Sequence, residues 1–369
     1  MPYSARLQRL ESAIEASPLG AMVLNAGPSL PYMTGLHVHL SERPVVACFS
    51  PGTSPTLVLP ALETQKVQHL PFGMDVYTYS ESLPSWHTAF EAALGHLPEG
   101  VRIGVEDGVL RFLELNYMQK AAPSAQFVSG EEIMASLRMR KDITERTLMK
   151  EAVRMAEEAL RSTLPHVKPG VTEREISSRL IARMLDEGSG GELPFQPIIA
   201  FGPNSANPHA VPTDYAAREG DLILFDWGAN NRGYFSDLTR TFVLGEPDDV
   251  IRRIYQTVEK ANAAGRAAGK PGVTAGSLDA ATRDVIDQAG FGPQFVHRTG
   301  HGIGLDVHEP PYIRSGNDVL LEPGMTYTIE PGIYVPEHGG VRIEDDMIVT
   351  EDGCESLTTY PRELTILPV

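Results

Sequence analysis

The apolar positions of the first 138 residues fall in short blocks separated by polar, helix-compatible stretches. AMVLN (21–25), PVVACFS (44–50), TLVLP (56–60) and VRIGVE (101–106) are brief and rich in valine and leucine, which predicts strands. The stretches around 61–69, 84–95 and 111–121 fall between or after them and read as helices. Alternation of the two kinds predicts an α/β layer arrangement. His37 and His39, in GLHVHL, would share a face at strand spacing but read as ordinary loop residues.

Beyond this point the period changes. Asp142 and Glu145 have the spacing of a capping box, and apolar residues after them recur at helical intervals. Thr172 and Glu175 open a second helix that stops near Gly188, in the loop GSGG. Next come a strand-like PIIAFG (197–202), the loop PNSANPHA, and two apolar runs, LILFDWGA (222–229) and YFSDLTRTFVL (234–244), joined by a turn-rich tetrapeptide. The order then repeats: a helix from Asp249 to Ala268, another from Leu278 to Ala289, the glycine-rich RTGHGIGLDVHEPP (298–311), and a second pair of runs, TYTIEPGIYV (326–335) and VRIEDDMIV (341–349). The pattern predicts two domains, 1–138 and 139–369, the second with internal pseudo-twofold symmetry.

The chemistry-bearing residues sit in the repeated hairpins. A turn centred between Asn231 and Arg232 would set Asp226 opposite Asp237, where two bare carboxylates repel and a bound dication removes the penalty. Glu330 and Glu344 are symmetric about Glu337, so a second hairpin would bring them together too. Between the hairpins, Gly300, Gly302 and Gly304 clear space around His301. Four carboxylates and one imidazole therefore read as a cage for two divalent ions. Manganese, cobalt, zinc and iron(II) all suit the donors, and calcium suits a histidine less well. Asp345 and Asp346 are expected at the surface or behind the ligands, since alternation from Glu344 turns Asp345 to the opposite face. Arg342 shares a face with Glu344 and could hold a carboxylate of the cage or of a substrate. His297 and His338 are expected to be structural or solvent-facing.

Composition narrows the class. The chain is 42% hydrophobic and 21% charged, as in an ordinary soluble globular protein, and its formal charge of -17 disfavours nucleic acid and anionic membranes. Cys48 and Cys354 lie in different predicted domains, so no disulfide framework is expected and a reducing cytoplasm fits. The first twenty residues lack the apolar core of a signal peptide, and no apolar run reaches transmembrane length.

The segments GPNSANPHA (202–210), FDWGANNRGYFSDLTRTF (225–242), HRTGHGIGLDVHEPP (297–311), TIEPGIYVP (328–336) and GGVRIEDDMIVTEDG (339–353) resemble the pita-bread metallopeptidases. That family includes proline dipeptidase (prolidase), aminopeptidase P and, more distantly, methionine aminopeptidase and creatinase. The resemblance implies an α/β creatinase-like N-terminal domain followed by an α+β pita-bread catalytic domain. It implies Asp226, Asp237, His301, Glu330 and Glu344 as ligands of two ions, with Asp237 and Glu344 bridging both. It also implies that His209 and His308 contact substrate or a developing oxyanion and that Glu330 moves a proton; beside them Arg342, Tyr234 and Thr239 are candidates to line the substrate site, the last two equally well read as plain strand residues. Ions roughly 3.5 to 4 Å apart share a water and make a hydroxide that attacks the scissile carbonyl. NPHA and VHEPP point to the proline-handling branch and hence to short proline-containing peptides as substrates, for a dipeptidase or an aminopeptidase. The competing expectations are a carboxypeptidase on the same scaffold, a catalytically silent binding homologue and a creatinase-like C–N hydrolase. The intact ligand set argues against the last two. A homodimer is expected from the resemblance alone.

Overall fold

The valine- and leucine-rich blocks of the N-terminal region become adjacent strands in the computed structural model, which describes residues 2–369. Ala21–Asn25 (β1), Val46–Phe49 (β2) and Thr56–Pro60 (β3) are buried along their whole length. With Asp75–Tyr79 (β4), Arg102–Val105 (β5) and Gln126–Ser129 (β6) they form a mixed sheet in the order β4-β3-β2-β1-β5-β6. Helices Tyr3–Glu15 (α1), Ser29–Thr34 (α2), Leu83–Leu94 (α3), Phe112–Ala121 (α4) and Glu131–Arg138 (α5) complete this unit, which ends at Arg138. The apolar pattern did not reveal β4 and β6. Both are edge strands, largely exposed or half-buried, so their sequences carry polar residues where the central strands carry valine. The stretch at 61–69 shortens to a 3-10 turn, Ala61–Val67, with no buried residue to drive a longer helix. His37 and His39 lie exposed in irregular chain.

The second unit runs from Met139 to Val369. Ile143–Thr163 (α6) and Glu173–Asp186 (α7) both begin with reciprocal capping boxes, at Asp142/Glu145 and Thr172/Glu175, each worth about 1 kcal/mol. After them come Ile198–Phe201 (β7), Leu222–Trp227 (β8), Asn230–Asn231 (β9), Tyr234–Phe235 (β10) and Leu238–Leu244 (β11). The second half supplies Asp249–Ala268 (α8) and Ala275–Gln288 (α9), then Gly300–Gly302 (β12), Glu309–Ile313 (β13), Thr326–Ile329 (β14), Gly332–Val335 (β15), Gly339–Arg342 (β16) and Asp345–Val349 (β17). Two short strands follow, Cys354–Ser356 (β18) and Ile366–Leu367 (β19). Helix, helix and acidic hairpin thus occur twice. The sheets are ordered β19-β11-β8-β7 and β13-β12-β14-β17-β18. Phe225 packs edge-to-face on Trp227 and Phe242, while Ile251, Ile254, Tyr255, Val258 and Ala261 bury one stripe of α8.

The hairpin registers position the acids. In the first hairpin Asp226 pairs with Thr239, and Asn231 with Tyr234. The turn is therefore Arg232-Gly233, one residue further toward the C-terminus than symmetric pairing about Asn231 and Arg232 requires, which moves each cross-strand partner by two. Both turn residues have positive φ, 55° and 88°, which glycine supplies at no steric cost. Asn230 Oδ1 also accepts the Gly233 N–H at 2.7 Å, which fixes the turn there. A shift of two keeps parity, so Asp226 and Asp237 stay on one face as diagonal rather than direct neighbours. In the second hairpin, β14–β17 and β15–β16 share one register, from Thr326↔Ile348 to Val335↔Gly339. Glu330 and Glu344 accordingly face each other across the gap between the ladders. A bridge between Thr239 and Glu344 joins the two hairpins.

Candidate metal centre and active site

Each acid arrives at the centre from a strand end held by buried hydrogen bonds. Asp226 is the penultimate residue of β8, and Arg342 Nη2 lies 2.5 Å from its Oδ2. Glu344 Oε2 accepts the Thr239 hydroxyl at 2.6 Å, and its backbone N–H donates to the Thr239 carbonyl at 3.1 Å. Asp237 has its backbone N–H bound by Asp346 Oδ2 at 3.0 Å. The His301 backbone N–H donates to Thr328 Oγ1 at 3.2 Å, and its ring Nδ1 lies 3.1 Å from the Gly302 carbonyl. That contact puts the proton on Nδ1 and turns the Nε2 lone pair toward Glu330 Oε1 at 3.3 Å and Asp237 Oδ2 at 3.7 Å.

The resulting donor atoms fall into overlapping triads. One is Asp226, Asp237 and Glu344, another is His301, Glu330 and Glu344, and a third is Asp237, His301 and His308; within each, the atoms lie within 4.8 Å of one another. Asp226 Oδ1, Asp237 Oδ1 and Glu344 Oε1 are buried and have no hydrogen-bond donor. Burial and the charges of Glu344 and Asp226 push Asp237 well above the usual carboxylate range. Burial, with Glu330 and Asp226, does the same to Glu344, and burial raises Glu330 to about 8. Burial and His308 hold His301 well below its ordinary value, so its ring is neutral. Orphaned carboxylate oxygens facing a neutral imidazole lone pair are costly unless something positive sits among them, and divalent cations fit that requirement.

Around the centre lies a cavity of about 640 Å³ lined by His209, His297, Arg298, His308, Arg314, Arg342 and the five residues above, with Phe195, Ile198, Pro208 and Val307 as an apolar wall. His209 and His308 are exposed to it, and the His308 ring stands 4.1 Å from that of His301. Burial, Arg298 and His209 lower His308 to about 4. Arg342 does hold a carboxylate. Its guanidinium also donates to Tyr334 Oη at 2.7 Å and to Thr239 Oγ1 at 3.1 Å.

Several expectations need correction. Tyr234 does not line the cavity: it is buried in the core, and its hydroxyl donates to Glu145 Oε1 at 2.7 Å at the start of α6. Three residues before Asp237, it falls on the opposite face, so alternation turns it away from the substrate side. Of the two places expected for Asp345 and Asp346, the structure takes the one behind the ligands: both are fully buried, and Asp346 holds the Asp237 N–H. Burial alone would raise Asp345, but Arg240 and Arg362, each at 2.7 Å, hold it below its ordinary value. His297 takes the structural of its two expected roles, accepting from Tyr334 Oη at 2.8 Å and donating from Nδ1 to the Arg298 carbonyl at 2.8 Å, but it also lines the cavity, which was not expected. Tyr334 was also missed. Its signal was available, since it shares strand parity with Glu330 and pairs across to Gly340, which leaves room for the ring. His338 stays apart, 3.9 Å from Asp248.

The sequence pattern of metallopeptidase family M24 matches residues 147–351, and that of the creatinase/prolidase N-terminal domain matches residues 6–140. The chain belongs to metallopeptidase family M24. Among M24 relatives, an Xaa-Pro dipeptidase of Lactobacillus helveticus is 33% identical over 98% of this chain and 99% of its own length. The crystal structure of a prolidase from Thermococcus sibiricus superposes with a TM-score of 0.94 at 31% identity, covering 100% of both chains. That of dipeptidase PepE from Mycobacterium ulcerans gives 0.92 at 34% identity, over 100% of this chain and 98% of the other. The fold is accordingly the pita-bread fold behind a creatinase-type N-terminal domain, and the protein is a hydrolase of the M24 metallopeptidase class. No described helix is long and apolar enough to cross a membrane.

Proposed function

We propose that this metallopeptidase hydrolyses dipeptides with proline in the second position, using two divalent cations that Asp226, Asp237, His301, Glu330 and Glu344 would hold. The observation that carries the reading is the set of overlapping triads whose buried carboxylate oxygens lack any donor. Proline specificity is supported by the names of the relatives, prolidase and Xaa-Pro dipeptidase, and by the apolar wall of Phe195, Ile198, Pro208 and Val307. The donor set admits manganese, cobalt, zinc or iron(II).

Bound cations would supply a water of lowered pKa and polarise the scissile carbonyl. The chain's own residues do the rest. His209 and His308 face the cavity as hydrogen-bond donors toward the charge that develops on the carbonyl oxygen; a neutral His308 ring offers one N–H for this. Glu330 takes on a carboxylate oxygen the proton that the attacking water gives up and passes it to the leaving nitrogen as the C–N bond breaks. Arg342 holds Asp226 in place, and Tyr334 links Arg342 to His297, so the wall behind the substrate is fixed before binding. The apolar wall limits the water that competes with the substrate.

The test is a panel of dipeptides and longer peptides, with and without proline, assayed with added manganese or cobalt and again in chelator. Cleavage of Xaa-Pro dipeptides that disappears in chelator is the expected outcome. Undiminished hydrolysis by metal-stripped protein would overturn the metal centre, and preference for longer chains would replace the dipeptidase by an aminopeptidase or carboxypeptidase. A homodimer is proposed on the family resemblance, and light scattering that reads the mass of one chain would remove it. A cytoplasmic location is supported by the unpaired Cys48 and Cys354.

A further inference from the structure

Close behind the cavity lies a buried ion pair that the proposed chemistry does not use. Lys141 and Glu309 are 3% and 5% exposed, and Lys141 Nζ is 2.5 Å from Glu309 Oε1. A buried pair is a weak source of net stability, because desolvation offsets the attraction, so its presence calls for another reason. We infer that Lys141 and Glu309 form a strut that sets the place of His308, making Lys141 a positioning residue for hydrolysis; the inference rests on the function proposed above.

The strut has two ends. At one, the Lys141 backbone N–H donates to the Gly324 carbonyl at 2.8 Å, its own carbonyl accepts Arg146 Nε at 2.9 Å, and its ammonium also reaches the Met139 carbonyl at 3.3 Å. The next residue, Asp142, caps the 21-residue α6, so this end is tied to the longest helix of the unit. At the other end, Glu309 opens β13, whose burial alternates from Glu309 inward, and Glu309 pairs with Gly302 beside His301. His308, one residue earlier, points the other way, into the cavity. Gly304 is what admits the pair: a Cβ there would lie 2.8 Å from both Glu309 Oε1 and Lys141 Cε. The His308 side chain makes no hydrogen bond among the described residues, so its place depends on the backbone that carries it and on packing such as the His301 ring contact. Fixing Glu309 therefore fixes the backbone from which His308 projects.

The experiment removes both charges together, so that neither is left stranded: Lys141→Met with Glu309→Gln, made in the wild type and in a His308→Ala background. The expected result is wild-type metal content and circular dichroism, a kcat lowered roughly 10- to 100-fold with KM little changed, and no further loss once His308 is absent. A second variant, Gly304→Ala, crowds the pair without removing a charge and should give a smaller loss of the same kind. In 15N-histidine spectra the His308 resonance should shift in both variants while that of His209 stays in place. Wild-type kcat in both variants, or an equal fold-loss with and without His308, would overturn the strut. If the double variant does not fold, Gly304→Ala decides. Wild-type protein inactive on every peptide would instead sink the proposed function, and the His308 resonance would still judge the strut.

Discussion

The two halves of the catalytic unit solve one problem with different residues. In the first half, Glu173, fully buried at the start of α7, accepts the backbone N–H groups of Phe201 and Thr213, the Asn204 amide and the Thr213 hydroxyl, all within 3.0 Å. It thereby staples the loop that carries His209. In the second half, Asp279 of α9 accepts the Thr299 N–H at 3.1 Å and hydroxyl at 2.8 Å and pairs with Arg283, stapling the segment that carries His297 and His301. An acidic residue on the second helix of each half thus anchors a histidine-bearing segment, although one is glutamate at the helix start and the other aspartate a turn further in. The internal symmetry lives in roles and backbone, which explains why direct identity between the halves is slight.

The sharpest way to break the comparison is to remove one ligand from each half. Asp237→Ala and His301→Ala should each cut kcat/KM by about three orders of magnitude or more, while circular dichroism stays near wild type; two ions per chain with normal turnover in either variant would refute the assignment. Removing the staples comes next. Glu173→Ala leaves several buried donors unpaired and should lower stability by about 3 kcal/mol, with Asp279→Ala closer to about 2 kcal/mol, as read by urea unfolding. Their activities should also diverge: the first should lower kcat through His209 and the second should weaken metal retention through His301. Identical profiles would mean that the halves are not specialised. A smaller effect is expected of His308→Ala, a loss of kcat of about 10- to 100-fold with metal content retained, and full turnover would take this histidine out of the reaction.

The mildest prediction concerns pH, and it pools carboxylates from both halves. Burial raises Glu330 from 4.5 to about 8, and Asp237 and Glu344 move the same way. In metal-free protein the folded state therefore holds protons that the unfolded chain releases, so its stability falls as pH rises across that window. Cations remove the need for those protons. The gap in Tm between metal-loaded and chelated protein should widen from about pH 5 to about pH 8, and a constant gap would show that the acids do not meet one another without metal.

What could be read in the chain follows from how local each signal is. The capping boxes at Asp142 and Thr172 depend on residues three apart, and the apolar stripe of α8 depends on one helix, so both were visible. The edge strands β4 and β6 were not, because half-exposed strands need no apolar run. The register about Glu337 was legible from symmetry, whereas the first turn was misplaced by one residue, and its pairing by two, because positive φ falls on Arg232 and Gly233 rather than on the asparagines.

By itself, then, the sequence determined the two alternating patterns, the acids and histidines available, and the parity that keeps Asp226 with Asp237 and Glu330 with Glu344 on common faces. Parity is a property of the strand alone and survives a slip of two residues. Only the tertiary structure decided that Tyr234 finds Glu145 as its partner, that Asp345 is sunk between Arg240 and Arg362, and that His297 joins the cavity through Tyr334. These outcomes depend on which distant element arrives to desolvate or pair a polar group, and no spacing along the chain encodes that partner.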